Sequence, residues 1–129
     1  MKNAIFIILL GLTSLFAEVK NVNFTQKFID SHTPIVDIRT KAEWVSTGII
    51  KNSIPITFFY ADGKYDIPKF LKELNAKVDT KKPFAIICRT GHRTKMVSSF
   101  LDKELHYPII NILGGITHPM MKNPPIVKY

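Results

Sequence analysis

Short continuous apolar runs alternate along the chain with segments whose apolar residues recur at three- and four-residue intervals, the patterns of buried strands and amphipathic helices. The first helical segment carries Phe24, Phe28 and Ile29, with Asn23 as its expected N-cap. Thr33-Pro34 punctuates it, because the residue before a proline is pushed out of the helical region. Pro34 to Arg39 follows as a short buried strand ending at Asp37 to Arg39. Thr40 then caps a helix over Lys41-Ala42-Glu43-Trp44-Val45, with Glu43 at the capping-box position and Gly48 as its stop. Ser53 to Phe59 is a further apolar extended segment. Between Asp66 and Ala76, Ile67, Phe70, Leu71 and Leu74 line one helical face, and Pro68 is tolerated in the first turn. Phe84 to Ile87 is a buried strand. Met96, Val97, Phe100, Leu101 and Leu105 mark the helix after it, and Ile109 to Leu113 is the last strand, closed by Gly114-Gly115 and a short Pro-rich tail. Apolar strands separated by helices imply an α/β fold, with a central mostly parallel sheet and helices on both faces.

The N-terminus departs from that alternation. Met1-Lys2-Asn3 precedes an almost unbroken apolar run from Ala4 to Leu12 that continues to about Phe16, and Ala17-Glu18 offers a small residue at a cut. This is the pattern of a secretory signal. Residues 1–17 are therefore expected to be a cleaved signal peptide and residues 18–129 one domain, periplasmic or otherwise exported. An uncleaved N-terminal membrane anchor is the alternative. The apolar run is shorter than the ~18–20 residues that span a bilayer, so no stable membrane span is expected after cleavage.

Composition narrows the function. The 129 residues carry a net charge of +8, of which Lys2 contributes one unit. The lysines are scattered and no aromatic stacking platform accompanies them, so no nucleic-acid partner is expected. A single cysteine excludes an internal disulfide framework and any metal or iron–sulfur site built on the chain's own thiolates. Neither a metal nor a cofactor is called for. Trp44, Phe58, Phe59, Met120 and Met121 are expected in core or rim packing, with His118, beside Pro119, at an entrance.

That one cysteine, Cys88, lies where the Phe84–Ile87 strand hands over to a helix, and ligands of parallel sheets bind at the carboxyl ends of strands. Backbone N–H groups in a tight loop opening a helix form an anion cradle. Gly91 permits the curvature, Arg89 and Arg93 add positive charge, and Thr90 and Thr94 suit turn and helix-cap positions. Such surroundings favour a nucleophilic thiolate. His92 is expected on the rim.

Cys88-Arg89-Thr90-Gly91-His92-Arg93-Thr94 resembles the active loop of the rhodanese-like sulfurtransferases, Cys-Arg-Ser-Gly-x-Arg-Ser, with threonines for the serines. Pro34 to Arg39 is similar to that family's first motif, ending Asp-x-Arg, and Gly114-Gly115-Ile116 to its C-terminal Gly-Gly-Ile. Gly48 to Ser53 corresponds to Gly-His-Ile-x-Gly-Ala with His, Gly and Ala all replaced, and Pro119 stands where a Trp is usual. The resemblance runs from about residue 19 to 126 and implies a single rhodanese-like domain.

It also implies a function. Cys88 would take sulfane sulfur from an anionic donor, thiosulfate or polysulfide, and pass it to cyanide, a thiol or a protein acceptor. Loop N–H groups from Arg89 to Arg93 would stabilise the persulfide, and Arg89 and Arg93 would draw in the donor. Asp37 would orient the loop through a buried bond to Arg93, while Arg39 would be a pocket wall or an ion-pair partner of Glu43. The departures at Gly48 to Ser53 bear on substrate choice more than on sulfur chemistry. A persulfide carrier without turnover is an alternative that shares Cys88. A phosphatase or arsenate reductase is less favoured, because those relatives use Cys-x5-Arg and this loop is one residue shorter.

Overall fold

The computed structural model describes residues 18–117 and 122–129. Its main sheet has five strands in the order β1 (Lys20–Asn23), β6 (Ile109–Leu113), β5 (Phe84–Ile87), β2 (Ile35–Asp37) and β4 (Ile54–Pro55), every neighbouring pair parallel. The helices are α1 (Gln26–Asp30), α2 (Lys41–Thr47), α3 (Ile67–Lys77) and α4 (His92–Leu105). A small antiparallel pair, β3 (Ile49–Ile50) with β7 (Ile126–Val127), stands outside the main sheet.

The continuous apolar runs bury both faces of the sheet, as the parallel arrangement requires. Along β5 the side chains alternate. Phe84, Ile86 and then Cys88 enter one core with Phe70 and Leu74 of α3 and Val97 and Leu101 of α4. Ala85 and Ile87 enter the other core with Phe24, Ile50, Ile110 and Ile112, covered by Phe28 and Ile29 of α1. Five residues are too few for a helix to hold itself together in water. Packing of Phe28 and Ile29, together with the fully buried Phe24 just before it, keeps α1 in place.

The helix caps follow the sequence closely. Thr40 and Glu43 form the complete capping box of α2, and Gly48 ends it at φ +78°. Asp66 caps α3 by accepting from Lys69 N at 3.0 Å. The cap of α1 is a correction: Thr25 accepts from Phe28 N at 3.2 Å, whereas Asn23 is the last residue of β1. Strand β1, Lys-Asn-Val-Asn, has one half-buried apolar residue and no alternation to announce it. The extended segment after Ser53 is paired as a strand only at Ile54–Pro55, although Ile56 N and Phe58 N continue the ladder to Asp37 O and Ile38 O at 3.0 and 3.1 Å. The Pro-rich tail also carries structure. It supplies β7, which passes so close to Gly48 that a Cβ there would lie 2.6 Å from Val127 O. Trp44 is buried, with its ring 5.4 Å from that of Tyr129. Among the described residues no helix is long and apolar enough to cross a membrane.

Candidate active site

Strand β5 delivers Cys88 to the carboxyl edge of the sheet between two parallel neighbours, and α4 starts four residues later. Gly91 occupies the N-cap of α4 at φ +93°, a conformation that side chains disfavour. Its N–H donates to Cys88 Sγ at 3.2 Å. The buried Thr94 hydroxyl lies 3.7 Å from Sγ, accepting from the thiol while donating to Gly91 O at 3.2 Å. Thr94 is thus a direct neighbour of the sulfur. Thr90 is exposed and makes no side-chain cap, because the helix is capped by the glycine backbone alone.

Behind the loop, the turn Gly115–Thr117 braces it. Ile116 N donates to Cys88 O at 3.0 Å, and Arg89 O accepts from Thr117 N at 3.2 Å and from its hydroxyl at 3.0 Å. Gly115 adopts φ +60°, and a Cβ on it would run into the Cys88 carbonyl and come within 2.6 Å of Arg89 O. A Cβ on Gly91 would lie 2.9 Å from Gly114 N. The Gly-Gly-Ile segment is therefore the close-packed support of the cysteine loop. Thr117 belongs to that support, and only the structure reveals it.

The charged residues pair differently from expectation. Asp37 does not reach Arg93. Fully buried, it accepts from Arg39 Nε at 3.0 Å and Nη2 at 2.9 Å, and from Arg39 N at 3.1 Å. Two residues apart on an extended chain, these side chains leave on the same side, which favours their mutual pairing. Arg39 takes the first of its two expected roles, as a buried wall of a cleft beside Glu43, and is not an ion-pair partner of Glu43. Its other donors reach Thr47 Oγ1 at 2.8 Å and Gly48 O at 2.7 Å, tying the end of β2 to the end of α2.

Arg93 instead meets Glu43, with Nη1 to Oε1 at 2.7 Å and Nη2 to Oε2 at 2.8 Å. That bidentate contact holds the Glu43 carboxyl down at about 2 and raises the Arg93 guanidinium, whose positive charge is further favoured by Cys88 and Asp37 nearby. Glu43 thus serves the capping box and the loop at once, as a carboxylate with several acceptor positions can.

The side chains of Arg89, Thr90 and His92 are exposed around the loop, while Cys88 itself is enclosed. Among the described residues, Arg89 has no ion-pair partner. Two clefts flank Glu43. One, of about 410 Å³, reaches Arg93, Phe59, Tyr60 and Met96; the other, of about 390 Å³, reaches Arg89, Ala42, Ser46 and Thr117. The expected entrance and packing residues His118, Met120 and Met121 lie outside the described residues.

Comparisons with known proteins agree with this architecture. A rhodanese-related protein from Thermoplasma volcanium superposes with a TM-score of 0.61 at 24% identity, covering 85% of this chain and 99% of that one. A rhodanese-like domain protein from Staphylococcus aureus gives 0.62 at 20% identity, covering 85% and 100%. A Rhodopseudomonas palustris protein of unknown function, described as a possible tyrosine phosphatase, gives 0.52 at 23% identity, covering 98% and 96%. A search of the curated proteins finds no significant match. The family model described as rhodanese-like domain matches residues 21–118. The chain belongs to the rhodanese-like domain family, a membership consistent with sulfur transfer or a persulfide-related role.

Proposed function

We propose that the protein is a sulfurtransferase whose nucleophile is Cys88. The observation that carries this reading is the contact of Cys88 Sγ with Gly91 N–H inside a six-residue loop at a strand end. A backbone donor fixed on the sulfur stabilises charge there without reorganisation when charge develops. Thr94 adds a hydroxyl that can turn from accepting the thiol proton to donating toward a sulfur anion.

With thiosulfate, Cys88–SH takes the outer sulfur, the donor S–S bond breaks, and sulfite leaves with the electron pair, giving Cys88–S–SH. Cyanide then removes the outer sulfur as thiocyanate and restores the thiol. A thiol or a protein acceptor would do the same in its own way. Gly91, Arg89, Thr90, His92 and Arg93 form the binding loop. Asp37 and Arg39 support it by fixing the neighbouring strand end. Export after cleavage at Ala17 is part of the same proposal and would place this chemistry outside the cytoplasm.

The phosphatase reading fits less well. Cysteine phosphatases need an arginine fork open to two phosphate oxygens, and here Glu43 fills that fork. Enclosure of Cys88 favours the carrier as the second reading, since an enclosed persulfide is shielded from adventitious acceptors. Thiosulfate or polysulfide loading followed by cyanide, with thiocyanate assayed, separates the readings. Repeated turnover supports the enzyme. Stable loading without turnover supports the carrier, and hydrolysis of an aryl phosphate without sulfur loading overturns both.

A further inference from the structure

One of the two loop arginines is already engaged. Arg93 gives both terminal nitrogens to Glu43, and the carboxylate stays ionised through the whole neutral range. The cleft beside this pair is bordered by Thr40, Phe59, Tyr60 and Met96, and Arg93 is its only cationic wall among the described residues. Lys69 is held over the Tyr60 ring, 5.6 Å from its centroid, and does not line the cleft. Met96 is 48% exposed, and Phe59 packs edge-on against Phe58 and Tyr65. Together these groups offer hydrocarbon contact and almost no net charge.

We propose that Glu43 determines donor specificity: by neutralising Arg93 beside an apolar cleft, it disfavours the inorganic dianion thiosulfate and favours a singly charged organic sulfane-sulfur donor whose hydrocarbon part lies in the cleft. The inference rests on the sulfurtransferase reading. For an organic thiosulfonate, R–SO2–S⁻, the Cys88 thiol forms a bond to the outer sulfur. The donor S–S bond breaks, the sulfinate R–SO2⁻ leaves with the electron pair, and the proton stays on the persulfide. On this side of Glu43 a second negative charge on the donor would approach the carboxylate while the only guanidinium lining the cleft, Arg93, is already paired, the unpaired Arg89 lining the opposite cleft; a phenyl group gains contact with Phe59 and Met96.

The test compares kcat/KM for thiosulfate and benzenethiosulfonate, with cyanide as acceptor, in the wild type and two variants. The organic donor is intrinsically more reactive, so the readout is the ratio between donors and its change. Glu43→Gln keeps the shape and removes the charge, and is expected to move the ratio about tenfold toward thiosulfate. Met96→Lys adds a cation to the cleft while keeping Glu43 and Arg93 themselves, and is expected to move the ratio the same way by about threefold. If Glu43→Gln does not fold, Met96→Lys decides. A ratio that is unchanged in the folded variants, or that moves toward the organic donor, overturns the specificity proposal. Failure of the wild type to form a persulfide with either donor overturns the sulfurtransferase reading instead.

Discussion

Two arginine–carboxylate pairs, Asp37–Arg39 at the end of β2 and Glu43–Arg93 between α2 and α4, do different work. Asp37–Arg39 is sealed from water, with side chains 0% and 2% exposed, and nearly every donor of the guanidinium is matched. Glu43–Arg93 has comparable contact distances, yet its side chains are 28% and 23% exposed. Burial makes the first pair a structural clamp, because a charge left there without its partner has no solvent to turn to. The second is only partly desolvated, so it contributes little to stability and can instead set the electrostatic character of the cleft beside the loop. Similar chemistry thus yields a fastening in one place and a filter in the other.

Breaking the sealed pair is expected to have the largest effect. Asp37→Ala strands Arg39 in the core and should cost about 3–5 kcal/mol of stability, measured as a shift in the urea midpoint. Gly115→Ala comes next. It forces a side chain into the left-handed region and against the Cys88 and Arg89 carbonyls, for a loss of about 1–3 kcal/mol, with slower sulfur loading because the loop loses its support. Glu43→Gln should stay within about 1 kcal/mol of wild type in the same urea titration while changing donor preference, which sharpens the contrast with Asp37.

The smallest effect is in acid. The carboxyl of Glu43 sits at about 2 in the folded protein against 4.5 ordinarily, so its stabilising contribution is complete above about 4.5 and is lost as pH falls toward 2. The wild type should therefore lose its stability advantage over Glu43→Gln across that window and show no change in the advantage between pH 6 and 8, as read by urea midpoints at each pH.

Much of this was legible in the chain. The cysteine loop, the capping box at Thr40 and Glu43, and the strands Phe84–Ile87 and Ile109–Leu113 declare themselves through local patterns. The choice of partners did not. Whether Asp37 meets Arg39 or Arg93 depends on how the end of β2 faces α4, which is a tertiary matter, although the two-residue spacing of Asp37 and Arg39 was a usable hint. Strand β1 was hidden by its polarity. Strand β7 was hidden because its two residues pair with a distant two-residue strand whose own signal is equally short. The close approach of Gly115 to the cysteine loop explains a motif that sequence alone could only match by likeness.

The most direct test of the account is the intact mass of the purified protein after incubation with thiosulfate, polysulfide or a thiosulfonate. The wild type should gain about 32 Da, one sulfur, and release it as thiocyanate when cyanide is added, while Cys88→Ser gains nothing. A wild type that takes up no sulfur from any of these donors, or a Cys88→Ser protein that takes up as much, would contradict it.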